Sequence, residues 1–414
     1  MNQPAQTNQQ GGANTAGQQK SGPQAVALAM FALLLVAYVL MSADRYLVTA
    51  LGTDIQKALG LTGPQRGTLT TIFTLGLGIA GLPAGWLIAR SSRKTVLLSG
   101  IVIFSVATAL ASVAGGFGNM FACLVLQGIG MAMLATSMFS LASSYFANNR
   151  IAAVGAVNVC FGLGAIVGGK IIGPLKVSHD SWQYPMQAFA VFGIILAVLI
   201  AILVRPWFSE TQHAAHHNEG TGGADSLKNR NTIILIVLSV IYGLNVYGFI
   251  GSYPTFLRLT ENYDIASAGS MIAWFGFGSL LSIFGGMLGD KFSVKWVLIL
   301  FSLAGVVLGV CLYLPGLSVA QRQALAFTYG IVGPAVIYTN LAGAHIKSLR
   351  RSLSRLGSSM FVTSIYAGAA CGGFLMSYLA EKFSWQQAAY IQMSVLTLIG
   401  AVLALGLRTN EMSK

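Results

Sequence analysis

Charge is what this chain has least of. Asp, Glu, Lys and Arg make up 8% of its residues, and only 11 of the 414 residues are acidic. A soluble domain carries roughly 25% charged residues. With 55% hydrophobic residues beside so little charge, the chain cannot cover a water-facing surface and reads as a polytopic membrane protein. Cysteine is also scarce. Cys123, Cys160, Cys311 and Cys371 each stand alone in an apolar run, which excludes a disulfide framework and the paired spacings of a zinc site. No metal or other cofactor is expected. No Ser/His/Asp or Cys/His set falls at a common depth, so the chain does not read as an enzyme. The net charge of +13 does not mark a nucleic-acid binder, because the bases lie in short connections between apolar runs, where membrane topology puts them.

What is present is a long series of apolar runs. Residues 1–24 are Gln-, Asn-, Gly- and Ala-rich and are expected to be a disordered tail. The run that follows lacks the charged n-region and small-x-small site of a cleavable signal. From there about twelve runs suit transmembrane helices: 25–50, 67–89, 95–115, 118–143, 150–173, 184–205, 231–256, 267–289, 296–315, 322–346, 357–380 and 386–407. Each is long enough to cross a hydrocarbon core of about 30 Å. The polar stretch 206–230 divides them six and six. The expected architecture is all-α, with twelve transmembrane helices in two pseudo-symmetric six-helix bundles, 25–205 and 231–407, and a short tail at 408–414.

The two halves echo each other. Gly85-Trp86-Leu87-Ile88-Ala89-Arg90-Ser91-Ser92-Arg93-Lys94 ends the second run, and Gly286-Met287-Leu288-Gly289-Asp290-Lys291-Phe292-Ser293-Val294-Lys295 ends the eighth. A repeat at half-chain spacing is the sign of a duplicated bundle. With both termini and the 206–230 linker on the cytoplasmic side, sixteen of the 24 Lys and Arg fall on that side and eight on the other. This favours cytoplasmic termini and a multi-pass protein of the cytoplasmic (inner) membrane.

One pair of charges falls at or inside a membrane edge: Asp44 and Arg45, in Ala37-Tyr38-Val39-Leu40-Met41-Ser42-Ala43-Asp44-Arg45-Tyr46-Leu47. An intramembrane ionisable group is costly and marks function by default. Asp44 is the one acid placed for a path across the membrane; the others fall by position in connections, tails or the repeated loop. Burial and an adjacent guanidinium pull the proton affinity of a carboxylate in opposite directions, so Asp44 can change charge as its surroundings change. Arg45 suits a carboxylate or phosphate, since its planar fork donates two parallel hydrogen bonds. The competing reading makes the pair a helix end at the outer interface.

Twelve runs with the Gly-x-Leu loop after the second and eighth resemble the major facilitator superfamily. Ala43-Asp44-Arg45, followed by Asp54-Ile55-Gln56 and Gly67…Phe73, is similar to its anion:cation symporter and spinster-type branches. The resemblance implies that Arg45 binds an anionic group, that Asp44 takes part in proton coupling, and that Arg90, Arg93, Asp290 and Lys291 help gate the cytoplasmic side. Two departures stand out. Ala89 replaces the acid of the first loop, so closure there is expected to be weak and the resting state inward-open. On the fourth helix, Leu124 and Met131 replace the Arg and Glu common in those branches.

Gln127, Asn158, Tyr242, Asn245, Tyr338 and Asn340 are the remaining candidates for a small-molecule site, each alone more often an interhelical contact. Two motifs carry no chemistry. Gly164…Gly169-Lys170 lacks the Ser or Thr and the strand of a phosphate-binding loop; His213, His216 and His217 lie in a flexible stretch without fixed metal geometry. The expectation is a monomeric secondary carrier of a small organic anion, coupled to protons and embedded in a lipid bilayer. A carrier of lysolipids or other amphiphiles is the alternative within the class, and a non-transporting receptor or scaffold the alternative outside it.

Overall fold

A computed structural model of the chain describes residues 24–146, 150–210, 223–350 and 354–412. The expected tail lies outside these, apart from Gln24, as do the three linker histidines. Eleven helices are long and apolar enough to cross a membrane, and a bent pair makes the twelfth span. In order they are Gln24–Leu59, Gly63–Ile88, Arg93–Ser112, Phe117–Ala142, Gly155–His179, Gln183–Leu203, Arg230–Thr260, the pair Ile265–Ser279 and Ser282–Gly289, Val294–Cys311, Val319–Lys347, Ser359–Lys382 and Trp385–Ala404. No strand occurs among the described residues. An even number of spans brings both ends of the chain to one face, called here the terminal face; the other is the distal face.

Several spans depart from a continuous, regular α-helix, among them the first, eighth and tenth. The first continues to Leu59, past the point where hydropathy falls at Asp54, Gln56 and Lys57. Its helix is interrupted at Arg45 and Tyr46, between Gln24–Asp44 and Leu47–Leu59. Asp44 and Arg45 therefore lie within the span, inside rather than at its edge, and the competing reading of a helix-ending pair at the outer interface is corrected. The eighth span bends by 45° between Ser279 and Ser282. The tenth passes through a π-helical segment, Ile331–Tyr338, with Pro334 inside. A proline removes one helical hydrogen bond, and π turns accommodate such irregularities, often at functional sites.

Spans one to six pack on one another, and so do seven to twelve. Between these two lobes the contacts run through glycines. A methyl group on Gly67 would collide with the Gly373 carbonyl, joining the second and eleventh spans. On the fifth and eighth, Gly162 opposes Gly276 and Gly169 opposes Gly269; a methyl on Gly276 would lie 2.7 Å from the Gly162 carbonyl. Such backbone approach leaves no room for a side chain. These contacts stop partway. Gly155 continues the contact face of Gly162 and Gly169, and Gly85 that of Gly67 and Gly78, yet neither has a neighbour within 4 Å. Ile283 and Met287, which continue the eighth-span face, are 58% and 61% exposed. The lobes are sealed at the distal face and part toward the terminal face.

The linker begins as structure. Pro206–Ser209 forms a helical turn whose Phe208 is buried against Tyr145 and Phe146. The Glu210 carboxylate accepts from the backbone N–H groups of Arg93 (3.0 Å) and Lys94 (3.1 Å). It thereby satisfies open donors at the start of the third span and meets the positive end of that helix.

Candidate functional site

The break in the first span sends two neighbouring charges in different directions. Asp44 turns into the first lobe. Its carboxylate accepts from Thr108 Oγ1 on the third span (3.1 and 3.3 Å) and, at close range, from Gln127 Nε2 on the fourth. Gln127 also donates to Thr108 Oγ1 at 2.8 Å. Asp44, Thr108 and Gln127 are all buried, forming a closed polar triangle inside a membrane-spanning bundle. Thr108 has a single hydroxyl proton and two acceptors in reach, Asp44 and the Phe104 carbonyl at 2.9 Å. An ionised Asp44 takes that proton; a neutral Asp44 must itself donate, and Thr108 can turn to Phe104. The triangle thus has one hydrogen-bonding arrangement for each charge state of Asp44.

Arg45 turns the other way, toward the second lobe. It is 7% exposed, and its Nε makes no hydrogen bond. Its guanidinium carbon lies 6.0 Å from the Phe73 ring and 5.8 Å from the Phe161 ring, and the Phe73 ring in turn lies 6.2 Å from that of Tyr247 on the seventh span. No carboxylate among the described residues forms an ion pair with it, Asp44 included. A desolvated, unpaired cation costs several kcal/mol by rough measure. Two cation–π contacts at the limit of their range offset about 1 kcal/mol each at best. The arrangement is therefore open to an anion, which would supply the missing partner.

The other sequence-level candidates scatter. Gln127, expected at a ligand, is committed to Asp44 and Thr108. Asn340 Nδ2 donates to the carbonyls of Gly285 and Val336, each at 2.9 Å, and so ties the tenth span to the eighth. Its amide is held in packing, not offered to a ligand. Asn245 Nδ2 donates to Thr397 Oγ1 at 2.6 Å while its Oδ1 has no partner. With Tyr242 it lines a cavity of about 40 Å³ whose walls all belong to the second lobe, room for a few waters. Tyr338 extends this group: its ring is 6.2 Å from Tyr242 and 5.1 Å from Phe361. Asn158 is exposed on the fifth span, four residues before Gly162 and so on the face that opens toward the terminal side. Of the loop residues, Arg90 stacks on Trp86 at 4.0 Å and Lys291 lies 5.9 Å from the Phe292 ring. Arg93 meets Glu210 through its backbone N–H. The Asp290 side chain is outside the described set.

Sequence reasoning missed three participants. Thr108 is one hydroxyl in an apolar run. Asp54, assigned to a connection, lies inside the first span and pairs with Arg258 of the seventh at 2.7 Å and with Lys176 of the fifth at 3.7 Å. Arg66 is buried and links Gln56 (2.7 Å) to Ser377 of the eleventh span (3.4 Å). The available signal was the lone base, Arg258, near the end of the seventh run.

Comparison with known proteins fits this geometry. The chain matches the Major Facilitator Superfamily over residues 34–352 and 235–414. It is 25% identical to the hexuronate transporter of Bacillus subtilis over 75% of this chain and 76% of that protein. It is 25% identical to protein spinster of Drosophila melanogaster over 50% of this chain and 33% of that protein. Its fold superposes on a bacterial homologue of the human lysosomal transporter spinster, solved inward-facing and occupied, with a TM-score of 0.74, 16% identity, and coverage of 93% of this chain and 97% of that one. With its twelve spans and paired six-span lobes, the chain belongs to the Major Facilitator Superfamily of membrane transporters.

Proposed function

We propose that this transporter moves a small organic anion across the cytoplasmic membrane by alternating access, with Arg45 binding the anionic group and Asp44 exchanging a proton. The observation that carries the reading is Arg45 itself: a buried guanidinium between the lobes, ringed by aromatic side chains and lacking a carboxylate partner. The hexuronate transporter among its relatives supports an anionic substrate. The bias of Lys and Arg puts the terminal face in the cytoplasm, so the described conformation is inward-open, in keeping with the missing acid at Ala89. Asp44 contributes as the buried carboxylate one residue away; an anion docked on Arg45 changes the field at Asp44, and a proton on Asp44 changes the field at Arg45.

A second reading concerns the shape of the anion. Ile283 and Met287, which continue the Gly269 and Gly276 face of the eighth span into the opening, are exposed and apolar. Such walls accept an acyl chain better than a sugar acid, and a sphingosine-1-phosphate transporter of Mus musculus is among the relatives. A thermal-stability screen of the purified protein over organic acids, amino acids and lysolipids separates the two. Uptake of the stabilising compound into proteoliposomes, with and without a pH gradient, then tests coupling. Stabilisation by an anion that Arg45→Gln abolishes is the expected result. Flux indifferent to the gradient and to Asp44→Asn would remove the proton from the scheme, and no flux of any compound would favour a scaffold.

A further inference from the structure

The distal seal contains a row of side chains that a purely structural interface has no use for. Thr49, Thr53 and Thr255 are 2%, 5% and 1% exposed, and none of their hydroxyls makes a hydrogen bond within the protein. A threonine inside a helix ordinarily donates to the carbonyl one turn back, as Thr68 does to Pro64 (2.9 Å) and Thr136 to Ala132 (2.8 Å).

Where these hydroxyls point follows from their neighbours. On the first span, Gly52 faces Arg66 and the seventh span, since a methyl there would lie 3.6 Å from the Arg66 side chain and 3.8 Å from Thr255 Oγ1. The Ala50 carbonyl also faces the seventh, accepting from Arg258 Nη1 at 3.2 Å. At 100° per residue, Thr49 and Thr53 fall on the arc between Gly52 and Ala50. They are aimed at the part of the seventh span that carries Thr255. The row begins one turn from Arg45 and ends beneath two polar closures. These are the Asp54–Arg258 ion pair and Arg66, which reaches from Gln56 to Ser377 and lies over Trp385 at 5.9 Å. Every one of these contacts to Arg258, Ser377 or Trp385 joins one lobe to the other.

We infer that Thr49, Thr53 and Thr255 line the distal half of the substrate path, folded shut in this conformation, and that Asp54–Arg258 is its latch. When the lobes part at the distal face, the three hydroxyls gain water or substrate as partners, and the path from Arg45 outward becomes polar on the walls contributed by the first and seventh spans. The unpartnered hydroxyls are then a property of one conformational state, stabilised by the latch and by the Gly67–Gly373 contact. The inference rests on alternating access, not on the identity of the substrate.

The test needs no substrate. Thr49→Cys, Thr53→Cys, Thr255→Cys and the control Leu51→Cys are each made in the full-length protein, reconstituted in nanodiscs and exposed to a charged maleimide. The parent with its four native cysteines provides the background rate. Leu51 is fully buried on the opposite side of the same helix. In the native latch all four positions should label slowly. With Asp54→Asn added, the three threonine positions should label at least about tenfold faster while Leu51→Cys stays protected. Gly373→Leu, a wedge in the second distal contact, repeats the test should the latch variant fold poorly. Threonine positions that stay as protected as Leu51→Cys in both backgrounds would overturn the inference. So would Leu51→Cys rising together with them, since that is loss of packing and not opening of a path. Failure of the anion reading would show in the ligand screen and leave these rates unchanged.

Discussion

Corresponding spans of the two lobes are built from different materials. The first span carries Asp44 and Arg45 near its middle; the seventh, its counterpart six spans later, carries Tyr242, Asn245 and Tyr247. Around Asp44 the first lobe supplies a complete set of hydrogen-bond partners. Around Asn245 the second supplies one partner, an unpaired carbonyl oxygen and a small cavity. At the terminal face the lobes share a device and then diverge. Lys94 Nζ donates to the carbonyls of Ala201 (2.7 Å) and Val204 (2.6 Å), and Lys295 Nζ donates to that of Leu405 (2.6 Å). In both lobes a lysine caps the C-terminal end of the last helix, where cations are favoured. Only the first lobe, among the described residues, adds a carboxylate, Glu210, at the start of its third span. The duplicated framework was kept while the contents of the matching first and seventh spans were divided: a charged pair at the middle of one, Tyr and Asn side chains along the other.

The division can be broken by substitution. The largest effect is expected at Arg45. Arg45→Gln removes up to two charge-assisted bonds and should weaken anion binding by about 100-fold, while Tyr242→Phe should change it by less than about threefold; isothermal titration with the stabilising anion compares them. Equal losses would put the binding centre in the second lobe. Next, Asp44→Asn should keep anion binding within several-fold and abolish the response of uptake to a pH gradient, whereas Asn245→Leu should leave that response intact. Asn340→Ala tests packing: two bonds are lost and a buried site is emptied, so unfolding should be easier by about 1–3 kcal/mol, with any transport defect tracking the loss of folded protein. The smallest effect separates the two lobes at the terminal face. Glu210→Ala should cost about 1 kcal/mol, the usual value of a helix cap, and lower the melting temperature by a few degrees. Glu411→Ala breaks only an exposed pair with Arg408 (3.0 Å) and should fall within about 0.5 kcal/mol of the parent.

Much of the framework was legible in the sequence because it depends on one-dimensional quantities. Run length and hydropathy placed twelve spans, and the repeated loop showed the duplication. The twelve runs with that loop carried the resemblance that named the family, and Ala43-Asp44-Arg45 pointed to branches within it. What the sequence could not show depends on rotation about helix axes. Asp44 and Arg45 look like a pair on paper, but the interruption at Arg45–Tyr46 turns one into the first lobe and the other toward the second. Gln127 looked like a ligand contact because nothing in the fourth run shows that its face meets Thr108 and Asp44. The first span looked too short because Asp54, Gln56 and Lys57 lower its hydropathy. Two of those three polar side chains have partners in the distal seal, so the helix runs on where a polarity-based boundary would end it.

The π-helical segment in the tenth span has a consequence for how this chain should be aligned with others. A π turn holds one residue more than the α turn it replaces, and one residue is worth about 100° of helix rotation. Deleting one residue from this segment ahead of Tyr338 would restore an α-helix there and leave the residues after it facing as they do now. Tyr338 would keep its place beside Tyr242 and Asn340 its hold on the eighth span. Relatives that lack the π turn should thus show a one-residue gap within this stretch. An alignment drawn without that gap would match Tyr338 to positions that face somewhere else.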